Sequence, residues 1–380
     1  TIGITCSVFI LLYVSDEISY DKFHENGENI YRIVSNIKEP DNEFTWAIAQ
    51  VPLAPELKSK FPEVENYARV SGVGRTKFIY EDKEFYEEDV IMADSTFFEV
   101  FTYEFVEGDL ATALDGPNKI VLTESFAKKY FGDEAAMGQT LSDEDGDDHI
   151  VSGIIKDVPT NSHLNFDAVI GWGITGRRAT SWGNFGVFTY IQLPPGYDIA
   201  DMQPNYDSVL VAHVNPIFES IGITIAYEMQ KIVDIHLHSK IQDEAESNGD
   251  ITYVYIFSAI SLFMIIIAAI NYMNLATARS AKRSREVGMR KVLGSQRGQL
   301  IGQFLTESVV LSFIALILSL GLIYVLLPTF NNLAGKEMAF AVLFEPRNAI
   351  SLLLIIVFIG VAAGSYPAFY LSSFKPADVL

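Results

Sequence analysis

Three long apolar stretches in the second half of this 380-residue chain limit its fold more than any other feature. Ile251–Ala276, Gln299–Leu327 and Ala349–Leu371 each exceed the roughly 20 residues that a helix needs to cross about 30 Å of hydrocarbon. Glu307 is their only Asp, Glu, Lys or Arg residue. Buried helices of soluble proteins are usually shorter and carry a polar stripe. The three stretches therefore predict helices that span a membrane.

A fourth apolar stretch, Thr1–Val14, opens the chain and is too short to span by itself. It has neither the basic leader nor the small-residue cleavage site of a secretory signal. We therefore expect it to be the outer end of a first transmembrane helix whose beginning has been cut away. Cys6, the only cysteine, lies in this stretch, so no intrachain disulfide can form.

Acidic residues are concentrated between the first two apolar stretches. Residues 15–250 contain 43 Asp and Glu against 17 Lys and Arg, whereas the rest of the chain has 5 acidic and 10 basic residues. Such a surface repels nucleic acid and anionic lipid, and it fits a solvated body outside the membrane. Strand-like and helix-like stretches alternate here, which predicts a large α+β domain, and its size favours two lobes.

Periodicity and turn residues predict several elements of this domain. They are a strand at Asn29–Ile37, a hairpin of Thr76–Tyr80 with Glu84–Met92, a strand at Lys119–Leu122, a helix from the N-cap Thr123 through Tyr130 that ends near Gly132, and a hairpin of Gln139–Leu141 with His149–Ile155 whose tip is Ser142–Asp148.

The same region offers no catalytic, cofactor or metal site. The aspartates of the Ser142–Asp148 tip lack the glycine position and the final Glu of a calcium loop, so we interpret the tip as a solvated turn. His236 and His238 share one face of a predicted strand, but no further ligand accompanies them. Walker, G-x-S-x-G and H-E-x-x-H sequences are missing. We predict a chain that is not an enzyme, binds no cofactor and relies on a separate subunit for any use of ATP.

The link between the second and third spans is strongly basic, and Glu286 is its only acidic residue. By the positive-inside rule this link is cytoplasmic, which places residues 15–250 and 328–348 outside and the tail from Ser372 inside. Its basic residues are Arg279, Lys282, Arg283, Arg285, Arg290, Lys291 and Arg297.

The basic link also has a helical pattern. Met289, Val292 and Leu293 fall at i, i+3 and i+4 on one face, Gly294 fits a C-terminal stop, and Ser295 can cap the next helix. The link can be a topology anchor alone, or its apolar edge can dock another protein. We favour docking, since amphipathic helices in grooves are a recurrent recognition mode.

A few polar residues and helix breakers lie inside the predicted spans. Asn271 and Asn274 share one helical face, where we favour hydrogen bonding to a neighbouring helix over a substrate pathway. Glu307 lies close enough to the cytoplasmic face for snorkelling or pairing with the basic link, rather than a proton relay. Gly364, Ser365 and Pro367 predict a kink near the inner end of the last span.

Several segments resemble one membrane-protein family. INYMNLATARSAKRSREVGMRKVLGSQRGQLIGQFLTES (Ile270–Ser308) resembles the FtsX-like permease domain of MacB-like ABC transporters. Segments from the rest of the chain are similar to the long, duplicated members typical of Bacteroidetes-like bacteria, of which this chain resembles the N-terminal half. These segments are YVSDEISYDKFHENGENIYRI (Tyr13–Ile33), IVLTESFAKKYFG (Ile120–Gly132), DVPTNSHLNFD (Asp157–Asp167) and SYPAFYLSSFKPADVL (Ser365–Leu380).

The resemblance implies a fold with four transmembrane helices, the first truncated, and a large α+β periplasmic core domain between helices 1 and 2. It also implies an inner-membrane location, a partner ABC ATPase in the cytoplasm, a second permease half or a homodimer, a further partner in the periplasm or outer membrane, and contact with membrane lipid. In this family the cytoplasmic link transmits ATPase motion. Here that role maps onto Arg285, Glu286, Val287, Gly288, Met289, Arg290, Lys291, Val292, Leu293 and Gly294.

We therefore expect a non-catalytic permease subunit that couples ATP hydrolysis to periplasmic movement, for export or for mechanotransmission. The alternative is a membrane-anchored periplasmic sensor or scaffold without transport activity. The expected parts are the end of helix 1 (1–14), periplasmic core (15–250), helix 2 (251–276), cytoplasmic coupling segment (277–298), helix 3 (299–327), periplasmic loop (328–348), helix 4 (349–371) and cytoplasmic tail (372–380).

Overall fold

The chain forms two compact units. A computed structural model describes residues 1–278, 287–336 and 338–372. One unit, here the helical unit, combines Thr1–Ile18 with the described residues from Ile251 onward. The other, here the α+β unit, is Ser19–Asp250. The chain thus enters the α+β unit after Ile18 and leaves it at Asp250.

Helices and strands are numbered in chain order. The helices are α1 (Ile2–Glu17), α2 (Leu53–Lys60), α3 (Phe97–Val100), α4 (Glu124–Phe131), α5 (Gly176–Thr180), α6 (Gln203–Val209), α7 (Asn215–Phe218), α8 (Ile232–His238), α9 (Ile251–Ala278), α10 (residues 287–292), α11 (Arg297–Ala334) and α12 (Pro346–Ser372). The strands are β1 (Ile30–Lys38), β2 (Glu43–Trp46), β3 (Ala49–Gln50), β4 (Asn66–Gly72), β5 (Thr76–Tyr80), β6 (Lys83–Glu87), β7 (Val90–Ala93), β8 (Phe105–Gly108), β9 (Lys119–Thr123), β10 (Thr140–Asp143), β11 (Asp148–Ile155), β12 (Ala168–Gly171), β13 (Phe185–Gln192) and β14 (Thr224–Lys231).

Three helices of the helical unit are long and apolar enough to cross a membrane, among the residues that the structure describes. These are α9, α11 and α12. Large apolar side chains on them are exposed, including Phe263 (62%), Ile317 (68%) and Phe358 (66%). Exposed apolar surface of this kind is rare on soluble monomers and normal where lipid is the solvent.

The 16-residue helix α1 packs against the long helices. Its Val8, Phe9 and Leu12 share a buried cluster with Ile323 of α11 and Ile356 of α12. Small residues bring α1 close to α9, because a Cβ added at Gly3 would lie 3.0 Å from Ala268 Cβ, and Ser7 Oγ donates to the Ser261 carbonyl at 3.3 Å. Close backbone approach through small residues is the usual way that helices associate in lipid.

Helices α11 and α12 also meet through glycines. A Cβ at Gly360 would lie 2.7 Å from Val309 Cα, and one at Gly364 would lie 2.6 Å from Ser308 Cβ. Both glycines therefore hold positions that no larger residue can take without moving a helix. Helix α12 continues through Pro367 to Ser372, and the kink expected there stays a prediction.

One sheet organises the α+β unit. Within residues 19–250, fourteen strands are hydrogen-bonded in the path β14-β1-β13-β4-β7-β12-β9-β11-β10-β5-β6, with β2, β3 and β8 attached to its sides. Most neighbours are antiparallel, while β11 pairs with β9 and β12 pairs with β7 in parallel. Strand β1 is buried along nearly its whole length between β13 and β14.

The sheet is continuous, so the expected two lobes are not two separate sheets. The hydrophobic core is nevertheless divided along it. A cluster around Leu53, Ile191 and Tyr206 covers one end, a cluster around Phe78, Tyr130 and Leu141 covers the other, and an aromatic cluster that includes Phe97 lies between them.

Most elements predicted in this unit are confirmed. Strands β1 and β9, the β10–β11 hairpin and helix α4 lie where the patterning placed them. Thr123 Oγ1 accepts the Phe126 N–H at 3.3 Å, and Gly132 ends α4 at φ 65°. The predicted strand Glu84–Met92 was wrong as one element. It divides into β6, which pairs with β5, and β7, which joins β4 and β12 in the main sheet.

Candidate coupling site

Of the ten residues to which the coupling role was assigned, the structure describes Val287–Gly294, here the coupling segment, and Arg285 and Glu286 lie outside the described residues. Residues 287–292 are helical, and Gly294 ends the helix at φ 98°. The Gly294 N–H donates to the Lys291 carbonyl at 3.1 Å, and the Ser295 N–H donates to the Arg290 carbonyl at 3.0 Å. This pair of bonds is the Schellman motif, which requires a left-handed residue where glycine stands. The predicted helix stop is confirmed.

Ser295 was wrong as the cap of the next helix. The N-cap of α11 is Gln296, whose N–H donates to the Gln299 side chain at 3.0 Å in a reciprocal capping box. Because Ser295 is engaged in closing the preceding helix, the cap moves one residue along.

The apolar edge of the segment is exposed. Met289, Val292 and Leu293 are 54%, 65% and 86% exposed, whereas Val287 is 2% exposed. A leucine that is exposed to water has an unfavourable solvation free energy unless another surface covers it. Sequence periodicity had placed these three side chains on one face, and that face lies away from the rest of the described helical unit.

The cations of the segment attach it to two long helices. Lys291 Nζ donates to the Ser372 carbonyl at the end of α12 at 2.7 Å. Arg297 Nε donates to Ser372 Oγ at 3.4 Å, and Arg290 Nη1 donates to Gln303 Oε1 of α11. A cation beside the last carbonyls of a helix also matches the helix dipole. The segment is therefore tied to the N-terminal part of α11 and to the C-terminal end of α12.

The polar residues predicted inside the spans, Asn271, Asn274 and Glu307, differ in how far they are buried. Asn271 and Asn274 lie on the exposed surface of α9, and neither side chain is hydrogen-bonded to another described residue. The bond between α9 and α11 instead joins Tyr272 Oη and Ser308 Oγ at 3.1 Å. Glu307, the neighbour of Ser308, is half-buried on α11.

Sequence reasoning missed a buried network where the chain enters the α+β unit. His163 Nδ1 lies 2.8 Å from Asp21 Oδ1, the His163 N–H donates to the same oxygen at 3.0 Å, and His163 Nε2 lies 3.0 Å from Tyr190 Oη. Asn161 Nδ2 donates to Ser19 Oγ at 2.9 Å. His24 Nδ1 accepts the Thr102 N–H at 3.1 Å.

Burial and charge set the ionisation of this network. Burial lowers the pKa of His24 to about 4, against a smaller opposing effect of Asp21. Burial alone would raise the pKa of Asp21, but the charge and hydrogen bonds of His163 hold it below its usual value. Asp21 therefore stays ionised beside a neutral His24. The sequence did contain one signal for this network. Ser19–His24 and Asn161–His163 lie in Tyr13–Ile33 and Asp157–Asp167, two of the segments that resemble the permease family.

A second buried network holds the segment by which the chain leaves the unit. Arg32 of β1 is fully buried, and its Nη2 donates to Glu244 Oε1 at 2.9 Å and to Gln230 Oε1 at 2.9 Å. Its Nη1 donates to the other Glu244 oxygen, and Ser239 Oγ donates to Glu244 as well. The outgoing segment Ser239–Asp250 is thus fixed to the central strand before α9 begins.

Two histidines beside this segment lie in a helix. His236 and His238 belong to α8, so the prediction that they share a strand face was wrong. His236 stacks on Tyr20 with ring centroids 3.3 Å apart. No group of three or more His, Cys, Asp or Glu side chains suited to a metal ion occurs among residues 1–278, 287–336 and 338–372.

Comparison with known proteins identifies both units. The model of the MacB-like periplasmic core domain matches residues 1–206, and that of the FtsX-like permease C-terminal domain matches residues 258–376. The macrolide export ATP-binding/permease protein MacB of Nitrobacter winogradskyi is 30% identical over 37% of this chain and 20% of its own length. That of Bdellovibrio bacteriovorus is 21% identical over 68% of this chain and 38% of its own length. The chain thus spans well under half of these curated relatives.

A solved structure agrees with the fold. The crystal structure of a domain of a putative permease protein from Porphyromonas gingivalis superposes with a TM-score of 0.52 at 20% identity, and the match covers 61% of this chain and 98% of that domain. Taken with the two family models, which together cover most of the chain, this leads to one assignment. The chain belongs to the MacB/FtsX-like family of ABC transporter permeases.

Proposed function

We propose that this chain is the permease subunit of an ABC transporter in the inner membrane, and that it passes motion from a separate cytoplasmic ATPase to its α+β unit in the periplasm. The observation that carries the proposal is the coupling segment, with an exposed apolar edge on one side and attachments to α11 and α12 on the other. The role is assigned to Arg285, Glu286, Val287, Gly288, Met289, Arg290, Lys291, Val292, Leu293 and Gly294.

Charge supports the orientation. The basic link follows α9 directly, which favours a cytoplasmic side for it, a periplasmic side for residues 15–250 and an inside position for the tail from Ser372. We assign α1 as a fourth span, because its apolar side chains pack with α11 and α12 in one cluster. Asn271 and Asn274 are exposed on α9, where a second permease half or a second copy of the chain can accept their hydrogen bonds.

The two buried networks suit a subunit that transmits force. The chain connects the helical unit to the α+β unit through two segments of the latter, the incoming Ser19–His24 and the outgoing Ser239–Asp250. Asn161 and His163 hold the first of these segments through Ser19 and Asp21, and Arg32 holds the second through Glu244. Firm attachment at both segments turns a small displacement into motion of the whole unit rather than local bending.

The test compares two exposed leucines in the full-length transporter. Leu293→Asp removes an apolar contact worth about 2 kcal/mol, which corresponds to about 30-fold weaker ATPase binding. Leu333→Asp is the matched control, because Leu333 is 87% exposed near the opposite end of α11. We expect Leu293→Asp to raise the Kd for the ATPase by about 30-fold and to lower co-purification and stimulation accordingly, and Leu333→Asp to leave both intact. Equal ATPase binding by both variants, or loss with Leu333→Asp alone, would contradict the coupling role and favour a sensor or scaffold.

A further inference from the structure

An apolar groove runs along the helical unit between α1 and α12. Val8 and Leu12 of α1 form one wall, Leu352 and Ile355 of α12 form the other, and Arg347 lies at its mouth in the first turn of α12. The α12 positions that line it recur at i, i+4 and i+8, so the groove follows one face of the helix.

Two of the polar side chains that line the groove have hydrogen-bond partners within the protein. Ser351 Oγ donates to the Arg347 carbonyl at 2.8 Å, and Asn348 Nδ2 donates to the Val342 carbonyl at 2.9 Å. The Arg347 guanidinium is exposed and has no hydrogen bond or ion pair with any other residue that the structure describes. An unpaired cation therefore stands at one end of a groove whose lining is mostly apolar, with Ser15, Asn348 and Ser351 as its uncharged polar residues.

The dimensions match one leaflet of a bilayer. From Arg347 to Ile355 is eight residues, or about 12 Å along the helix. Half of the hydrocarbon thickness is about 15 Å. The sequence Glu345-Pro346-Arg347 also puts an exposed acid two residues from the cation. A ligand that fits has a phosphate for Arg347, an amine for the nearby acid and one long apolar tail.

We propose that this groove is a binding site for a membrane aminophospholipid, with the phosphate on Arg347 and an acyl chain between Val8, Leu12, Leu352 and Ile355. The site belongs to the outer leaflet if the basic link is cytoplasmic. It requires the helical unit to lie in the membrane but does not depend on ATPase coupling. A lipid here fills the gap beside α1 and stabilises its packing against α12.

The test uses a photoactivatable phosphatidylethanolamine, in vesicles that contain the full-length protein, with mapping of the labelled peptides. We expect adducts within residues 8–18 and 347–355. Leu352→Trp fills the groove and should lower this labelling at least fivefold, while Leu318→Trp, on an exposed position of α11, should leave it within twofold.

Arg347→Gln keeps the shape of the groove and tests the phosphate contact separately. Wild-type labelling should be at least threefold stronger with the phosphatidylethanolamine probe than with a photoactivatable diacylglycerol, and Arg347→Gln should remove that preference. If neither Leu352→Trp nor Arg347→Gln changes the labelling, the lipid contact at the groove is nonspecific and the proposal is overturned. A protein segment crosslinked into the groove in native membranes would overturn it as well.

Discussion

Replacement of His24 should change how the stability of the α+β unit depends on pH. His24 is 4% exposed, its Nδ1 accepts the Thr102 N–H, and burial lowers its pKa from 6.5 to about 4. Asp21 and His163 are the titratable groups beside it, and Tyr103 packs on its ring. Asparagine at position 24 keeps an acceptor for Thr102 but cannot titrate.

The sign and size follow from proton linkage. Between pH 6.5 and about 4 the unfolded chain protonates this histidine while the folded unit keeps it neutral, so acid favours unfolding. One pH unit of difference is worth about 1.4 kcal/mol, which gives about 3 kcal/mol over the whole interval. The contribution of His24 is fully present above pH 6.5 and is lost as the pH falls towards 4.

Urea unfolding of the piece Ser19–Asp250 measures this effect, since a similar isolated permease domain has been crystallised. Between pH 7 and pH 4, the free energy of unfolding should fall by about 3 kcal/mol more for wild type than for His24→Asn. His24→Gln places its amide differently and should be less stable at pH 7, yet it should show the same flattened pH profile as His24→Asn. Identical pH profiles for wild type and both variants would refute the reasoning.

Two further predictions concern packing. Gly364→Leu should destabilise the detergent-solubilised protein by about 1–3 kcal/mol, because its Cβ would lie 2.6 Å from Ser308 Cβ. The control is Gly321→Leu, which has no atom within 4 Å of an added Cβ and should leave the melting temperature nearly unchanged. Equal shifts of the melting temperature in both variants would contradict the glycine contact. Arg32→Met should lower the free energy of unfolding of the α+β unit in urea by about 3–5 kcal/mol, because it leaves Glu244 unpaired. The double variant Arg32→Met with Glu244→Leu should recover much of this loss. No recovery would argue that Arg32 acts by packing alone.

Local signals predicted much of this architecture. The apolar stretches predict the long helices, because a segment that spans lipid must form all its backbone hydrogen bonds internally. Thr123, Gly132 and Gly294 mark helix ends through their own conformational preferences, which act within a few residues. The exposed edge of Met289, Val292 and Leu293 likewise follows from helical periodicity alone.

What the sequence did not predict depends on distant partners. Arg32 and Glu244 are 212 positions apart, and Asp21 and His163 are 142 apart, so no local pattern marks either pair. The strand expected at Glu84–Met92 divides because its second half pairs with β4 and β12 instead of β5. Gly360 and Gly364 form a Gly-x-x-x-Gly spacing in an apolar helix, which is typical of close helix packing. This spacing was not used to predict the contact of α12 with α11.

The central claim is that the acidic α+β unit and the basic link lie on opposite sides of the membrane. In a cysteine-free background of the full-length protein, Asp145→Cys and Met289→Cys put one thiol on each, and both positions are exposed. A membrane-impermeant maleimide should label the first thiol in cells whose inner membrane is intact, and the second only after that membrane is permeabilised. Labelling of both thiols from the same side would contradict the account.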